Sequence, residues 1–231
     1  MNKNATLMSH LQNAAIAVLT VTAVLLLIQT PLVGDLAGKT VYLPGQGSNP
    51  EFVLRALVEG AGVADVTFDY TYSSPDELAT ALASGKASLG VLPEPKVTAI
   101  TSKKPTLRVA LDFTEEWKKQ TSAPLVQGCI IVREDFLKEH TALVKKFLDE
   151  YKKSVDLVNS NPEEAAAMIA EAGLAGNAAA AQAALPRCNI TYLDGEDMRT
   201  ALNGFWDALF KLNPKSVGGK LPDDAATAPI K

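Results

Sequence analysis

The chain reads as an α/β protein, with strands and helices alternating up to about residue 132 and helices alone after it. Three observations point there. Short runs rich in β-branched and aromatic residues recur between residues 40 and 132, and most are followed by a stretch with helix-start residues. Units of this size imply a mainly parallel sheet with helices on both faces. The composition, 47% hydrophobic and 21% charged, is that of an ordinary globular protein. A length of 231 residues suffices for one large domain or two lobes.

The N-terminus admits two readings. No residue between His10 and Asp35 is charged, and the apolar core of this stretch is residues 14–28. Val18, Thr20, Val21, Thr22, Val24 and Ile28 are β-branched, which suits a buried strand. An uncleaved anchor or signal segment over residues 11–33 is the rival. The basic start is only Lys3, no small-x-small cleavage site follows, and the run falls short of the about 20 apolar residues of a membrane span.

From residue 40 the elements follow in order. Thr40, Val41, Tyr42 and Leu43 read as a strand, and Pro44-Gly45-Gln46-Gly47 as a loop. A helix over 48–59 is predicted by the capping-box spacing of Ser48 and Glu51, with Pro50 in its first turn and Gly60 and Gly62 at its end. Residues 66–70 alternate as a strand does. Ser74-Pro75-Asp76-Glu77 is a second capping box, opening a helix that stops at Gly85. Residues 87–92 form a strand that ends in Pro93-Glu94-Pro95, and a helix starts near Lys96. Strands over 107–111 and 128–132 flank a short helix at 115–119.

After Arg133 the period changes to helical. Val144, Phe147, Leu148, Tyr151, Val155 and Val158 share one helix face. Asn161-Pro162-Glu163-Glu164 starts a further helix, the alanine-rich stretch at 177–184 another, and Met198, Leu202, Phe205, Leu209 and Leu212 line a last one. From Lys215 an irregular tail is expected.

The net charge is −4, and basic residues are scattered beside acids. These are solvated helix faces, and no basic patch suggests nucleic acid. No convincing catalytic set is present. His10 and His140 lie in polar helical contexts, no metal-ligand spacing occurs, and there is no G-x-S-x-G, P-loop or H-E-x-x-H motif. Cys129 lies in an apolar strand, a poor place for a nucleophile. Cys129 and Cys188 are read either as two buried thiols or as one structural disulfide of an exported protein.

Two loops are candidates for binding. Pro44-Gly45-Gln46-Gly47-Ser48 joins a strand to a helix, so glycines and free helix N–H groups meet there, which suits a small oxyanion. The plainer reading is a β–α turn with a capped helix, and Glu51 already puts a carboxylate in the first turn. Pro93-Glu94-Pro95 lies at the carboxyl end of a strand, where open α/β sheets place ligands; the plainer reading is a rigid turn. Tyr70 and Tyr72 near this edge either line a cleft or simply pack.

Several of these segments carry a resemblance. Asp35-Leu36-Ala37-Gly38-Lys39-Thr40-Val41-Tyr42 is similar to the entry into the second lobe of ABC-importer solute-binding proteins of the nitrate/sulfonate/taurine and thiamine-precursor type. The loop 44–48, Leu92-Pro93-Glu94-Pro95, residues 127–133, Pro186-Arg187-Cys188-Asn189-Ile190 and residues 213–222 follow in family order. The resemblance implies a type II periplasmic-binding-protein-like fold. One α/β lobe, with a parallel-rich sheet and helices on both faces, is complete over residues 35–127. Residues 128–213 are the hinge return and the C-terminal helices of an incomplete first lobe, residues 1–34 a hinge-strand remnant or a signal or membrane segment, and residues 214–231 the tail. On this reading the chain is an N-terminally truncated member.

The same resemblance implies function. A small organic or oxyanionic solute binds between lobes and passes to an ABC permease and ATPase. The binding protein is expected to be an extracytoplasmic monomer that uses no cofactor and performs no covalent chemistry. Gln46, Gly47, Ser48 and Glu94 are carried over from the family loops as ligand-binding residues. Cys129 and Cys188 match positions where related members carry cysteine, which implies a disulfide. The rivals are a truncated or membrane-anchored remnant that binds nothing, and a pyrimidine-synthesis enzyme on the same fold.

Overall fold

Two short strands set the frame. Residues 32–227 are described by the structure, a computed structural model. Strand β1 (Thr40–Tyr42) pairs in parallel with β2 (Thr67–Asp69), with Val41 opposite Phe68. On its other side β1 meets residues 89–91: Tyr42 N–H donates to Leu89 O (3.0 Å) and Val91 N–H to Tyr42 O (2.9 Å). Three parallel segments thus lie in the order β2, β1, 89–91. The apolar run at residues 14–28, and nearly all of the 11–33 segment, lie outside the described residues. Among the described residues no helix is long and apolar enough to cross a membrane.

Helix α1 (Asn49–Gly60) connects β1 to β2, and α2 (Pro75–Ser84) connects β2 to the third segment. Successive strand residues point to opposite faces of a sheet, and the burial follows that rule. Val41 and Leu43 enter one core with Val53, Leu54, Leu57 and Val58 of α1. Tyr42 packs on the other face against a second core formed by Leu78, Ala81 and Leu82 of α2 with Ala87. Helices therefore cover both faces of the small sheet, as expected. Gly90 permits the close approach of α2, because a Cβ there would sit 3.0 Å from a Leu78 methyl. Helix α2 ends at Gly85, whose φ of 77° is the left-handed cap that glycine adopts most readily.

Helices α3 (Lys96–Lys103) and α4 (Phe113–Gln120) follow. Asp112 caps α4 by accepting from the N–H groups of Thr114 and Glu115. Trp117 is buried, stacks at a tilt on Phe205 with ring centroids 5.6 Å apart, and donates through Nε1 to Ala123 O (2.9 Å).

The remaining helices are α5 (Glu134–Glu139), α6 (Thr141–Ser160), α7 (Pro162–Glu171), α8 (Ala178–Ala184) and α9 (Gly195–Leu212). Helix α7 packs on α8, and Ala165 and Ala166 of the first and Ala181 and Ala184 of the second are buried. Helix α8 also packs on α3, and α9 on α1. Gly204 lets α9 come close to Ala123, since a Cβ at Gly204 would lie 2.4 Å from that of Ala123. The tail expected to be irregular includes 3-10 turns at Pro214–Val217 and Asp224–Thr227.

The sheet is smaller than the sequence predicts. Residues 87–92 contribute a single bridge, and 107–111 and 128–132 form no ladder among the described residues. A run of β-branched residues becomes a strand only where a neighbour pairs with its backbone. Residues 128–132 find none within 32–227, and Ile131 is 87% exposed. The result is a helix-rich α/β fold with a small parallel sheet.

Candidate functional site

Both candidate loops leave the carboxyl edge of the sheet. One follows β1 and the other follows the segment that bridges it, which is where open α/β sheets hold ligands. Their local chemistry differs.

In the first loop the helix N-terminus is already satisfied from within. Glu51 is buried; its Oε2 accepts from Gly47 N–H (2.6 Å) and its Oε1 from Arg55 Nε (2.7 Å) and the Tyr70 hydroxyl (2.7 Å). Arg55 Nη2 also donates to the Tyr70 oxygen (3.0 Å), and the guanidinium lies 4.1 Å above the Phe68 ring. Burial alone would raise the Glu51 pKa. The hydrogen bonds from Tyr70, Arg55 and Gly47, with the Arg55 charge, outweigh it and hold the carboxyl below its ordinary value. Tyr70 is shifted upward, first by burial and then by its bond to Glu51.

Of the three residues carried over here, Gly47 gives its N–H to Glu51 and Ser48 gives its hydroxyl to Gly45 O (3.0 Å). Only the Gln46 side chain makes no hydrogen bond among the described residues. It lines an open groove of about 610 Å³ with Glu51, Phe52, Arg55, Phe68 and Asn213. An oxyanion at this helix N-terminus would compete with Glu51 for the same N–H. Tyr70, open between lining and packing in the sequence, is tied into this network; Tyr72 packs on Tyr42 with ring centroids 5.4 Å apart.

The second loop presents a half-buried charge pair. The Glu94–Pro95 peptide is cis. Glu94 Oε2 accepts from Thr98 N–H in the first turn of α3 (3.0 Å). Arg187 Nε lies 3.0 Å from Glu94 Oε1 but out of line for a hydrogen bond, so Oε1 remains without one. The Glu94 side chain is 11% exposed and that of Arg187 36%. The hydroxyl of Thr98, itself 7% exposed, also lacks a partner among the described residues. Arg187 comes from the 3-10 turn Leu185–Arg187 that follows α8, so this pair joins the α/β part to the C-terminal helices. No hydrogen bond or ion pair joins the two loops among the described residues.

Sequence reasoning singled out Glu94 and not Arg187, the charge it pairs with. Pro186-Arg187-Cys188 stands out only as a family segment, and a pairing across so many residues leaves no periodic or local signal.

The disulfide expected between Cys129 and Cys188 is absent: both are free thiols. Cys188 turns onto its own helix end, where its thiol donates to Ala184 O at 3.4 Å, while Cys129 is exposed in the unpaired stretch 128–132. Burial, then the nearby Glu94 charge, pushes the Cys188 thiol above its ordinary pKa.

Comparison with known proteins places this geometry in context. The crystal structure of an ABC transporter from Parabacteroides distasonis superposes with a TM-score of 0.69 at 26% identity. The match covers 82% of this chain and 65% of that one, so this chain spans less than two thirds of its length. The expected similarity to ABC-transporter binding proteins is thus seen in the fold. No curated protein matches the chain. The model of a family described as menaquinone biosynthesis matches residues 1–210, nearly the whole sequence. The chain therefore belongs to the menaquinone biosynthesis family.

Proposed function

We propose that the protein binds a small organic solute at the carboxyl edge of its parallel sheet, as the solute-binding component of an ABC importer. The observation that carries this reading is the similarity to an ABC transporter over 82% of the chain. Residues 35–127 serve as one lobe, residues 128–213 return toward the other, and the Glu94–Arg187 pair lies where the two meet. Glu94 and Gln46 face the solute side, while Gly47 and Ser48 shape the turn that presents Gln46. Binding proceeds by closure about a hinge with no covalent step. Delivery to a permease and ATPase places the protein outside the cytoplasm, as a monomer.

The test is a thermal melt of the purified chain against a panel of small acids, amides and heteroaromatic bases. A ligand at about 100 times its Kd adds about 2.7 kcal/mol, a shift of a few degrees for a chain of this size. A melt unmoved by every compound argues against solute binding.

The family match favours a second reading, in which the same edge holds the substrate of an enzyme of menaquinone biosynthesis. The two separate cleanly. A compound that raises the melt is incubated with the protein and recovered, and its mass is measured. Recovery unchanged supports transport, and conversion supports catalysis.

A further inference from the structure

We infer that Glu51 is a specificity-determining residue of loop 44–48: its carboxylate fills the oxyanion position at the start of α1, so the loop turns oxyanions away and the solute group left for Gln46 is uncharged. This rests on the solute-binding reading above and narrows its solute. A glycine loop between a strand and a helix ordinarily offers N–H groups and partial positive charge to an anion. Here the chain supplies the anion itself. Glu51 is 4% exposed, and its two oxygens take three donors: Gly47 N–H at 2.6 Å, Arg55 Nε at 2.7 Å and the Tyr70 hydroxyl at 2.7 Å.

Those donors come from the loop, from α1 and from the residue after β2, and they converge on one point. They are also held in place by one another. Arg55 Nη2 donates to the Tyr70 oxygen at 3.0 Å, and the guanidinium rests on the Phe68 ring. A backbone N–H, a guanidinium and a hydroxyl aimed at one place have the chemistry of an oxyanion site. A carboxylate tethered two bonds from its own helix acts at a high effective concentration there, and a free oxyanion has to displace it.

The surroundings point the same way. Ser48 gives its hydroxyl to Gly45 O, and Pro50 has no N–H to offer. The groove beside the loop is lined by the carboxylates of Glu51 and Glu59 against the single guanidinium of Arg55, a balance that disfavours an anion. Gln46 lines the same groove, and its side chain makes no hydrogen bond among the described residues. A primary amide both donates and accepts, which suits a carbonyl, amide, hydroxyl or ring nitrogen of the solute.

The experiment is a set of thermal melts in sodium formate and sodium nitrate, each against sodium chloride at equal ionic strength. Wild type, Glu51→Gln, Glu51→Ala and the double variant Glu51→Ala/Tyr70→Phe are compared. Glutamine still fills the position, whereas alanine empties it and leaves the donors facing a gap. Wild type and Glu51→Gln should respond alike, showing the general salt effect alone. Glu51→Ala should gain several degrees beyond that in formate or nitrate, saturating with concentration, and the double variant, one donor short, should gain less. Where Glu51→Ala does not fold in chloride, folding restored by formate or nitrate is the same gain. The wild-type arm depends on no variant that could fail to fold: a saturating rise with formate or nitrate, absent in chloride, would show the position open to oxyanions and overturn the inference while leaving solute binding intact. A Glu51→Ala variant with no gain in either anion, or unfolded in every salt, would also overturn it. The gain in Glu51→Ala together with a wild-type melt unmoved by the whole solute panel would instead overturn the solute-binding reading and leave the anion position assigned to Glu51.

Discussion

Helices α1 and α6 carry the same kind of apolar stripe and meet opposite fates. In α1, Val53, Leu54, Leu57 and Val58 are buried against β1, and Trp117 and Phe205 close the same core. In α6, only Val144 and Val155 are buried, although Leu143, Phe147 and Tyr151 share a face at spacings of four. Phe147 is 51% exposed and stacks on Tyr151, which in turn meets Tyr192. Amphipathic spacing specifies that a helix has an apolar side. What covers that side is decided elsewhere in the fold, and within residues 32–227 α1 is covered far more completely than α6.

Truncation of one side chain on each helix tests that contrast. Leu57 is 1% exposed, so Leu57→Ala should cost about 2–5 kcal/mol through lost burial and a residual cavity. Phe147→Ala removes more atoms yet should change stability by about 0.5 kcal/mol or less, as at other uncovered surface positions. Urea midpoints of the two variants decide the matter. Equal losses would show that the outer face of α6 is covered in solution.

The two helices also differ at their N-termini. Helix α6 opens without an acidic residue in its first turn and without a side-chain cap. Helix α1 holds Glu51 there, with three hydrogen bonds to the carboxylate. Glu51→Gln should cost on the order of 2 kcal/mol, the range of a charged hydrogen bond lost from a buried site. It should also change the response to acid. The folded-state pKa of Glu51 lies below its ordinary value of 4.5. This stabilisation is therefore fully present above that value and is lost as the pH falls through the lower folded value. Denaturation midpoints from pH 7 to pH 3 should converge between wild type and Glu51→Gln at the acid end. A constant gap across that window would mean that the carboxylate form matters little.

How much of this was legible in the sequence follows from the range of each interaction. Helices α1, α2 and α8 fall within about two residues of their expected bounds, because caps, prolines and terminal glycines act within one turn. The covering of both sheet faces was also legible, from the repeated strand–helix units between residues 40 and 132. Strands at 107–111 and 128–132 were not, because a strand needs a partner that its own residues do not name. Among the candidate residues, the place of Glu94 after a strand-like segment was readable, and Gln46 was singled out only through the family loops. Arg187 was not, and the engagement of Gly47 by Glu51 was only half legible: the carboxylate in the first turn was plain, its target was not. The resemblance to ABC-importer binding proteins anticipated the fold of the matching transporter structure, whereas the menaquinone biosynthesis family was not anticipated.

Two serine substitutions decide whether packing or capping fixes a helix start. Both Ser48 and Ser74 stand at N-caps three residues before a glutamate, yet neither forms the full reciprocal box. Ser74 accepts from Glu77 N–H (3.2 Å), while Glu77 reaches one residue further back, to the N–H and hydroxyl of Ser73 (2.8 Å each). Ser48 makes no cap bond at all, because its hydroxyl is given to Gly45 O and Glu51 is drawn to Gly47. Ser74→Ala should therefore cost about 1 kcal/mol, the usual value of a lost N-cap. Ser48→Ala should cost a few tenths, since only a partly buried turn bond is removed and α1 stays held by its core, about 0.5 kcal/mol at most. Urea midpoints resolve a difference of this size when the two slopes agree. A Ser48→Ala loss as large as that of Ser74→Ala would mean that the turn bond to Gly45, and not the buried face of α1, fixes where that helix begins.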